Sequence, residues 1–338
     1  MSLSIELPTV YVLSTGGTIA GKGGSSMSLS EYRGGSLLGE ELVKSVPEIE
    51  QYANVKVEQV TNVGSQDITT EHWTTLANRI NAIFAENPEV AGVVVTHGTA
   101  TLEETAYFLN LTVEHDRPVV LVGAQRPATA LSADGPLNLV NAIRTAGSAA
   151  ARGMGVLVVM NDEINCARDV TKSNTYRVET FRSGELGFLG YVDPDQVVFY
   201  RAPVKRHTVR SELHLIAGSA FPQVEIVSSY VQPDVAMIRM LHANGVRGIV
   251  IAGSGAGVIS QVERATIKEI LCSPVVPRPV IVRSNRTGNG RVIGRKDLDV
   301  LDLIPADNLS PQKARILLML ALMKTTDLGE IKRIFSDY

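Results

Sequence analysis

Short runs of β-branched residues alternate along this chain with longer stretches whose apolar positions recur every three or four residues. Residues 9–14 (TVYVLS), 55–60, 90–99 (VAGVVVTHGT), 118–124 (PVVLVGA) and 154–160 (MGVLVVM) have the apolar character of buried strands. Residues 37–46, 71–85, 102–110 and 136–149 read as the intervening helices. In the second of these, Trp73, Leu76, Ala77, Ile80, Ile83 and Phe84 fall on one stripe, the core-facing side of an amphipathic helix. Strands that alternate with helices predict an α/β fold with a mostly parallel sheet flanked by helices. Such sheets place ligands at the carboxyl ends of their strands.

The rhythm breaks over residues 198–223, where FYRAPVKRHTVRSELHL (199–215) is basic, contains a proline and lacks a helical stripe. It resumes with strands at 224–227, 248–253 (GIVIAG) and 279–284 (PVIVRS), helices at 233–243 and 262–271, and two closing helices at 311–324 and 328–335. The expected layout is therefore a larger N-terminal domain over residues 1–200, a connector at 201–223 and a smaller C-terminal α/β domain at 224–338.

Composition narrows the class. At 338 residues, with 44% hydrophobic and 20% charged residues, the chain has the material for two packed cores. Its 32 Lys+Arg against 35 Asp+Glu leave a net charge of −3, which argues against nucleic acid as the main partner. Every apolar run is broken before it could span a bilayer, so no membrane partner is expected. The opening residues carry no basic segment followed by a long apolar one. A cytoplasmic location is expected, or a periplasmic one if a signal peptide has been removed. Cys166 and Cys272 belong to no CxxC and read as thiols in a reducing compartment. No His pair has metal-ligand spacing, so neither a metal nor an organic cofactor is expected.

Five polar segments could carry chemistry. Thr15-Gly16-Gly17-Thr18 follows the first strand: its glycines permit a sharp turn and close approach to a ligand, and its hydroxyls offer a nucleophile. Residues 16–23 come within one residue of GxxxxGK[ST], yet Gly23 stands where the magnesium-binding hydroxyl belongs, and no helix follows. Residues 21–36 read as a mobile flap with Tyr32 as its large side chain. Thr96-His97-Gly98-Thr99-Ala100-Thr101 ends another strand, with Glu103 and Glu104 opening the next helix; His97 reads as a buried, hydrogen-bonded histidine. The others are Gly64-Ser65-Gln66-Asp67, then Asn161-Asp162-Glu163 with Arg168 and Lys172, and Ser132-Ala133-Asp134-Gly135-Pro136, which reads as a helix cap. Unaided, these residues describe an α/β enzyme with a hydroxyl-rich site and a flap.

Read as an ordered set, TGGTIAG, GSQD, HGTxTLEETAYFL, VGAxRP, SADGPLNL, NDEI with ARDVTKSNT, and SPQKARILLMLAL make the chain resemble the bacterial, threonine-dependent L-asparaginase and glutaminase-asparaginase family, closer to its type II branch. The resemblance covers nearly the whole chain. It implies conversion of L-asparagine to L-aspartate and ammonia, with L-glutamine as a further possible substrate and no cofactor. Thr18 would be the nucleophile, with Tyr32 beside it and Thr99 and Lys172 as a second hydroxyl–amine pair. Gly17, Ser65, Gln66, Gly98, Thr99, Ala100 and Ala124 would line the substrate. Ser65 and Gln66 would meet its α-carboxylate and α-amino groups, and the Ala124 carbonyl the leaving amide. A homotetramer built as a dimer of dimers is implied, each site being completed by a neighbour's C-terminal domain, with Asp297 as the candidate acidic contact. Ala100 stands where the family has Asp after HGT, and GSGAGV stands where GxGNGN is usual. The first departure implies reduced activity; the alternative it raises is a near-inactive amino-acid binding or sensing protein on the same scaffold.

Overall fold

The computed structural model describes residues 6–274 and 277–338, which divide into two compact units, one ending at His214 and the other beginning at Leu215. The strands of the N-terminal unit are, in chain order, β1 (Thr9–Gly16), β2 (Lys22–Gly23), β3 (Tyr32–Arg33), β4 (Asn54–Val63), β5 (Val90–Thr96), β6 (Val119–Val122), β7 (Val156–Met160), β8 (Glu163–Cys166), β9 (Thr171–Lys172), β10 (Phe181–Arg182), β11 (Gly190–Val192) and β12 (Val197–Phe199). Its helices are α1 (Gly39–Lys44), α2 (Thr70–Glu86), α3 (Leu102–Thr112) and α4 (Gly135–Gly147). An eight-stranded sheet runs β12-β11-β8-β7-β6-β5-β1-β4. From β4 through β7 the strands are parallel, and beyond β7 they alternate in direction.

The apolar strands are the central ones. Val10, Val12, Val94, Val120, Val122, Leu157 and Val159 are buried in one core, together with Leu139, Ala142, Ile143 and Ala146 of α4. The six stripe residues of α2 are its buried positions, and Thr69 caps the helix through the His72 amide. Helix α3 departs from the amphipathic pattern. All of its residues except Glu104 are buried, so its polar groups find partners: Asn110 Oδ1 accepts the Val156 amide and Thr112 bonds back to the Phe108 carbonyl.

The reversal after β7 is made by Asn161 and Asp162, both with positive φ (54° and 63°), the two-residue hairpin geometry that Asn and Asp tolerate. Helix α4 holds this turn: Asn138 Oδ1 accepts the Asn161 amide and Asn141 donates to Asp162. The Asn161-Asp162-Glu163 segment is thus a structural turn. The first half of the expected connector packs onto this unit: His207, Thr208, Ser211 and Leu213 are buried, and Ser211 donates to the Leu111 carbonyl.

The C-terminal unit contains β13 (Val224–Ser228), α5 (Ala236–Ala243), β14 (Gly248–Gly253), α6 (Gln261–Leu271), β15 (Val280–Asn285), α7 (Lys296–Asp299), β16 (Ile304–Pro305), α8 (Pro311–Lys324) and α9 (Leu328–Asp337). The order β13-β14-β15-β16 is parallel throughout. Ile238, Ile249, Ile251, Ile267, Ile270 and Ile281 build its core. Ser260, Ser310 and Asp327 cap α6, α8 and α9. Among the described residues no helix is long and apolar enough to cross a membrane.

Candidate active site

Four adjacent parallel strands of the N-terminal unit, in the order β6-β5-β1-β4, deliver four polar loops to one edge of the sheet. The register pairs Ser14 with Thr96, Thr96 with Val122, and Gly16 with Val63. The residues that follow are Thr18, Thr99, Ala124 and Ser65, each just past the carboxyl end of its strand.

Two glycines let these loops touch. A Cβ on Gly17 (φ +83°) would lie 2.3 Å from the Gly98 Cα, and one on Gly98 would lie 2.8 Å from Ser65 Oγ. A side chain at either position would push the loops apart. The residue after each glycine carries a hydroxyl, Thr18 on one loop and Thr99 on the other. Thr15, the other hydroxyl of the first loop, is buried and donates to the Thr96 carbonyl, a bond that ties β1 to β5.

Thr18 Oγ1 lies 2.7 Å from the Tyr32 hydroxyl, and either can donate. The flap that brings Tyr32 there is a small antiparallel ribbon, β2 with β3, pairing Gly23 with Tyr32. Its attachments are specific. Gly35 donates to the Gly17 carbonyl and Leu37 to that of Ala20; on the far side Ala128 donates to the Gly21 carbonyl and Gly23 to Thr129 Oγ1. Thr18–Ala20 forms a single 3-10 turn that leads into β2. No helix N-terminus is therefore aimed at a phosphate here, which removes the physical basis of a nucleotide loop.

Lys172, on β9, donates to Thr99 Oγ1 at 2.7 Å. Burial pushes its ammonium below the usual lysine range, while the charge of Glu103 opposes that shift. The Lys172 amide is accepted by a Glu103 carboxylate oxygen, so α3 and β9 are joined directly behind Thr99. Ala100 is exposed beside this pair, and its amide donates to Ser65 Oγ. The Ser65 carbonyl also accepts from Thr101. Gln66 folds over Gly64 and donates to Asp67.

His97 is fully buried behind the loop. Its Nδ1 is 2.7 Å from the Gly98 carbonyl and its Nε2 is 2.9 Å from Thr105 Oγ1, which itself receives the Trp73 indole N–H at 2.8 Å. A carbonyl can only accept, so Nδ1 carries the proton, Nε2 accepts from Thr105 and Thr105 accepts from Trp73. Burial depresses this imidazole to about 4. His97 is a neutral prop for the loop.

Ala124 is fully buried just beyond β6. The loop after it is shaped by Asp134, which the sequence suggested as a helix cap. The carboxylate makes no cap bond to α4 and instead accepts the amides of Gln125 and Arg126, both at 2.9 Å. Asp297 belongs to the C-terminal unit, where Arg264 (2.9 Å) and Arg295 (3.2 Å) hold its carboxylate in an exposed ion-pair cluster. Glu103 and Thr105 stand behind these loops through their bonds to Lys172 and His97. Their only sequence signal was position on the helix that follows the HGT loop.

The family model described as "Asparaginase, N-terminal" matches residues 9–205, and "Glutaminase/Asparaginase C-terminal domain" matches residues 223–335. "L-asparaginase 2" of Bacillus subtilis is 46% identical over 98% of this chain and 87% of its own length. "L-asparaginase 2" of Escherichia coli is 42% identical over 99% and 94%. "Glutaminase-asparaginase" of Pseudomonas fluorescens biotype A is 42% identical over 98% and 91%. Among solved structures, "Probable Cytoplasmic L-asparaginase from Campylobacter jejuni" superposes with a TM-score of 0.94 at 42% identity, covering 98% of this chain and all of that one.

Proposed function

The chain belongs to the asparaginase family, and from that premise we propose that it is an amidohydrolase that converts L-asparagine to L-aspartate and ammonia. The observation that carries the reading is the Thr18–Tyr32 pair, a hydroxyl held under a flap at the carboxyl edge of a parallel sheet. Thr18 Oγ attacks the side-chain amide carbon, and its proton passes to the Tyr32 hydroxyl. Tyr32 releases its own phenolic proton to the leaving nitrogen, so ammonia departs as the C–N bond breaks and a β-aspartyl ester remains on Thr18.

In the second half water attacks that ester. Its proton passes by way of Thr99 to Lys172, whose basicity is lowered by burial. The ester C–O bond then breaks, the proton returns to Thr18 and aspartate leaves. Ser65, Gln66 and the Gly17–Gly98 backbone contact are assigned to the substrate's α-groups, and the Ala124 carbonyl to the leaving amide. Cys166, which is buried, and Cys272, which is exposed, belong to no CxxC and suit a reducing, cytoplasmic location.

A homotetramer is part of the proposal. Tyr230, Val231, Met237 and Met240 are exposed on the C-terminal unit and offer apolar surface to another copy. Asp297 has no assigned part, because a carboxylate already held by two guanidiniums is poorly available to a substrate ammonium.

The test is stoichiometry. The purified chain given L-asparagine should release ammonia and aspartate one to one with no added metal or cofactor. Calorimetric binding of asparagine without ammonia release would instead support a sensing protein.

A further inference from the structure

We propose that Glu103 is a positioning residue that holds Lys172 in place beside Thr99 and supplies a carboxylate charge that acts on it. This inference rests on the amidohydrolase reading and names a residue which that reading does not use. Glu103 is only 8% exposed, in the first turn of α3. Its carboxylate accepts the main-chain N–H of Lys172, residues distant by 69 positions, which fixes β9 against α3. From that anchored backbone the Lys172 side chain reaches Thr99.

The charges around Lys172 come from few directions. From α3 the acting group is the Glu103 carboxylate, which favours the ammonium. From β10, Phe181 lies opposite Lys172, and the neighbouring Arg182 is paired with Glu163 at 3.3 Å. In the loop before β9, Arg168 is paired with Asp169. On the HGT loop Ala100 contributes no charge. Burial pushes Lys172 toward the neutral amine, and the charge of Glu103 opposes that push. A carboxylate that both anchors the lysine backbone and moderates its basicity does more than cap a helix.

Glu103→Gln separates these roles. A glutamine oxygen still accepts the Lys172 amide, while the negative charge is gone. The titration of Lys172 should move down by roughly one pH unit or more, the usual effect of removing a neighbouring opposite charge. Two readouts follow it. The first is pH-dependent labelling of Lys172 by an amine-directed acylating reagent, quantified by mass spectrometry on the ligand-free protein. The second is the rising limb of kcat against pH with L-asparagine, which should shift in the same direction while KM stays within about twofold of the parent.

A carboxylate with only a backbone-anchoring role leaves both titrations where they are in Glu103→Gln, and that result overturns the proposal. Should this variant fail to fold, Glu103→Asp carries the test. Withdrawing the charge by one methylene must move the lysine titration downward by a smaller amount, and an unmoved titration there is equally contradictory. The labelling readout needs no turnover. A parent that releases no ammonia therefore contradicts the reading of function while the assignment of Glu103 is still decided.

Discussion

Thr105 shows how one hydroxyl can fix a loop. It accepts from Trp73 and donates to His97, so the imidazole has one permitted tautomer and the Gly98 carbonyl one donor. Thr105→Val keeps the shape and strands two buried groups, each worth about 1–3 kcal/mol when left unpaired. The melting temperature should fall and kcat with it, and Thr105→Ser should recover most of both; an unchanged Thr105→Val variant contradicts the prop. Ala100 lies on the same loop. Placing a carboxylate there should supply a charge-assisted contact to the substrate ammonium worth about 1.5–3 kcal/mol, so Ala100→Asp should raise kcat/KM by roughly ten- to a hundredfold. A variant no better than the parent would mean that this position needs no acid. At this scale the sequence was legible where a motif carried the residue: the geometry brings together Thr18 with Tyr32 and Thr99 with Lys172. Glu103 and Lys172 could not be paired by reading, because only the topology brings α3 beside β9.

Elements were legible in proportion to their length and periodicity. The six buried positions of α2 are the six of its stripe, and β1, β5, β6 and β7 fall on the apolar runs. The short antiparallel strands from β8 to β12 were not visible. Two to four residues carry no period, and the turn at Asn161 and Asp162 was read as candidate chemistry instead of a hairpin. Helix α3 showed its place but not its surroundings, since a helix buried on nearly every side has no amphipathic stripe to read. The site depends on the strand ends more than on any one helix. Gly17→Ala combines a left-handed φ of +83° with a Cβ 2.3 Å from the Gly98 Cα. It should cost about 2 kcal/mol or more and lower kcat by at least tenfold, read by thermal melts and ammonia release together. Gly24, where a Cβ would meet nothing within 4 Å and φ is ordinary, is the control: Gly24→Ala should leave the melting temperature unchanged.

At the scale of the molecule, two α/β units follow one another along the chain, as the interruption of its rhythm near residue 200 suggested. The division between His214 and Leu215 lies inside the segment 201–223 expected as a connector, and His207, Ser211 and Leu213, which precede it, are buried. That arrangement gives the N-terminal unit an acid sensitivity. His97 and His207 are both depressed by burial to about 4, from 6.5. The unfolded chain therefore binds protons before the folded one does. Stability is fully present above pH 6.5 and is lost as pH falls toward 4, with His97 accounting for about 3 kcal/mol. Urea melts across that interval should show the decline, and His97→Asn, whatever its starting stability, should flatten it; an equally steep decline in that variant would place the sensitivity elsewhere. Each of these effects surrounds one hydroxyl, and the account stands or falls on it. The most direct measurement compares ammonia release from L-asparagine by the parent and by Thr18→Val, with circular dichroism confirming that both are folded. Loss of at least about a thousandfold in kcat is the expected result, in keeping with removal of a catalytic nucleophile. A folded Thr18→Val variant that turns over asparagine at a rate near the parent's would contradict the account.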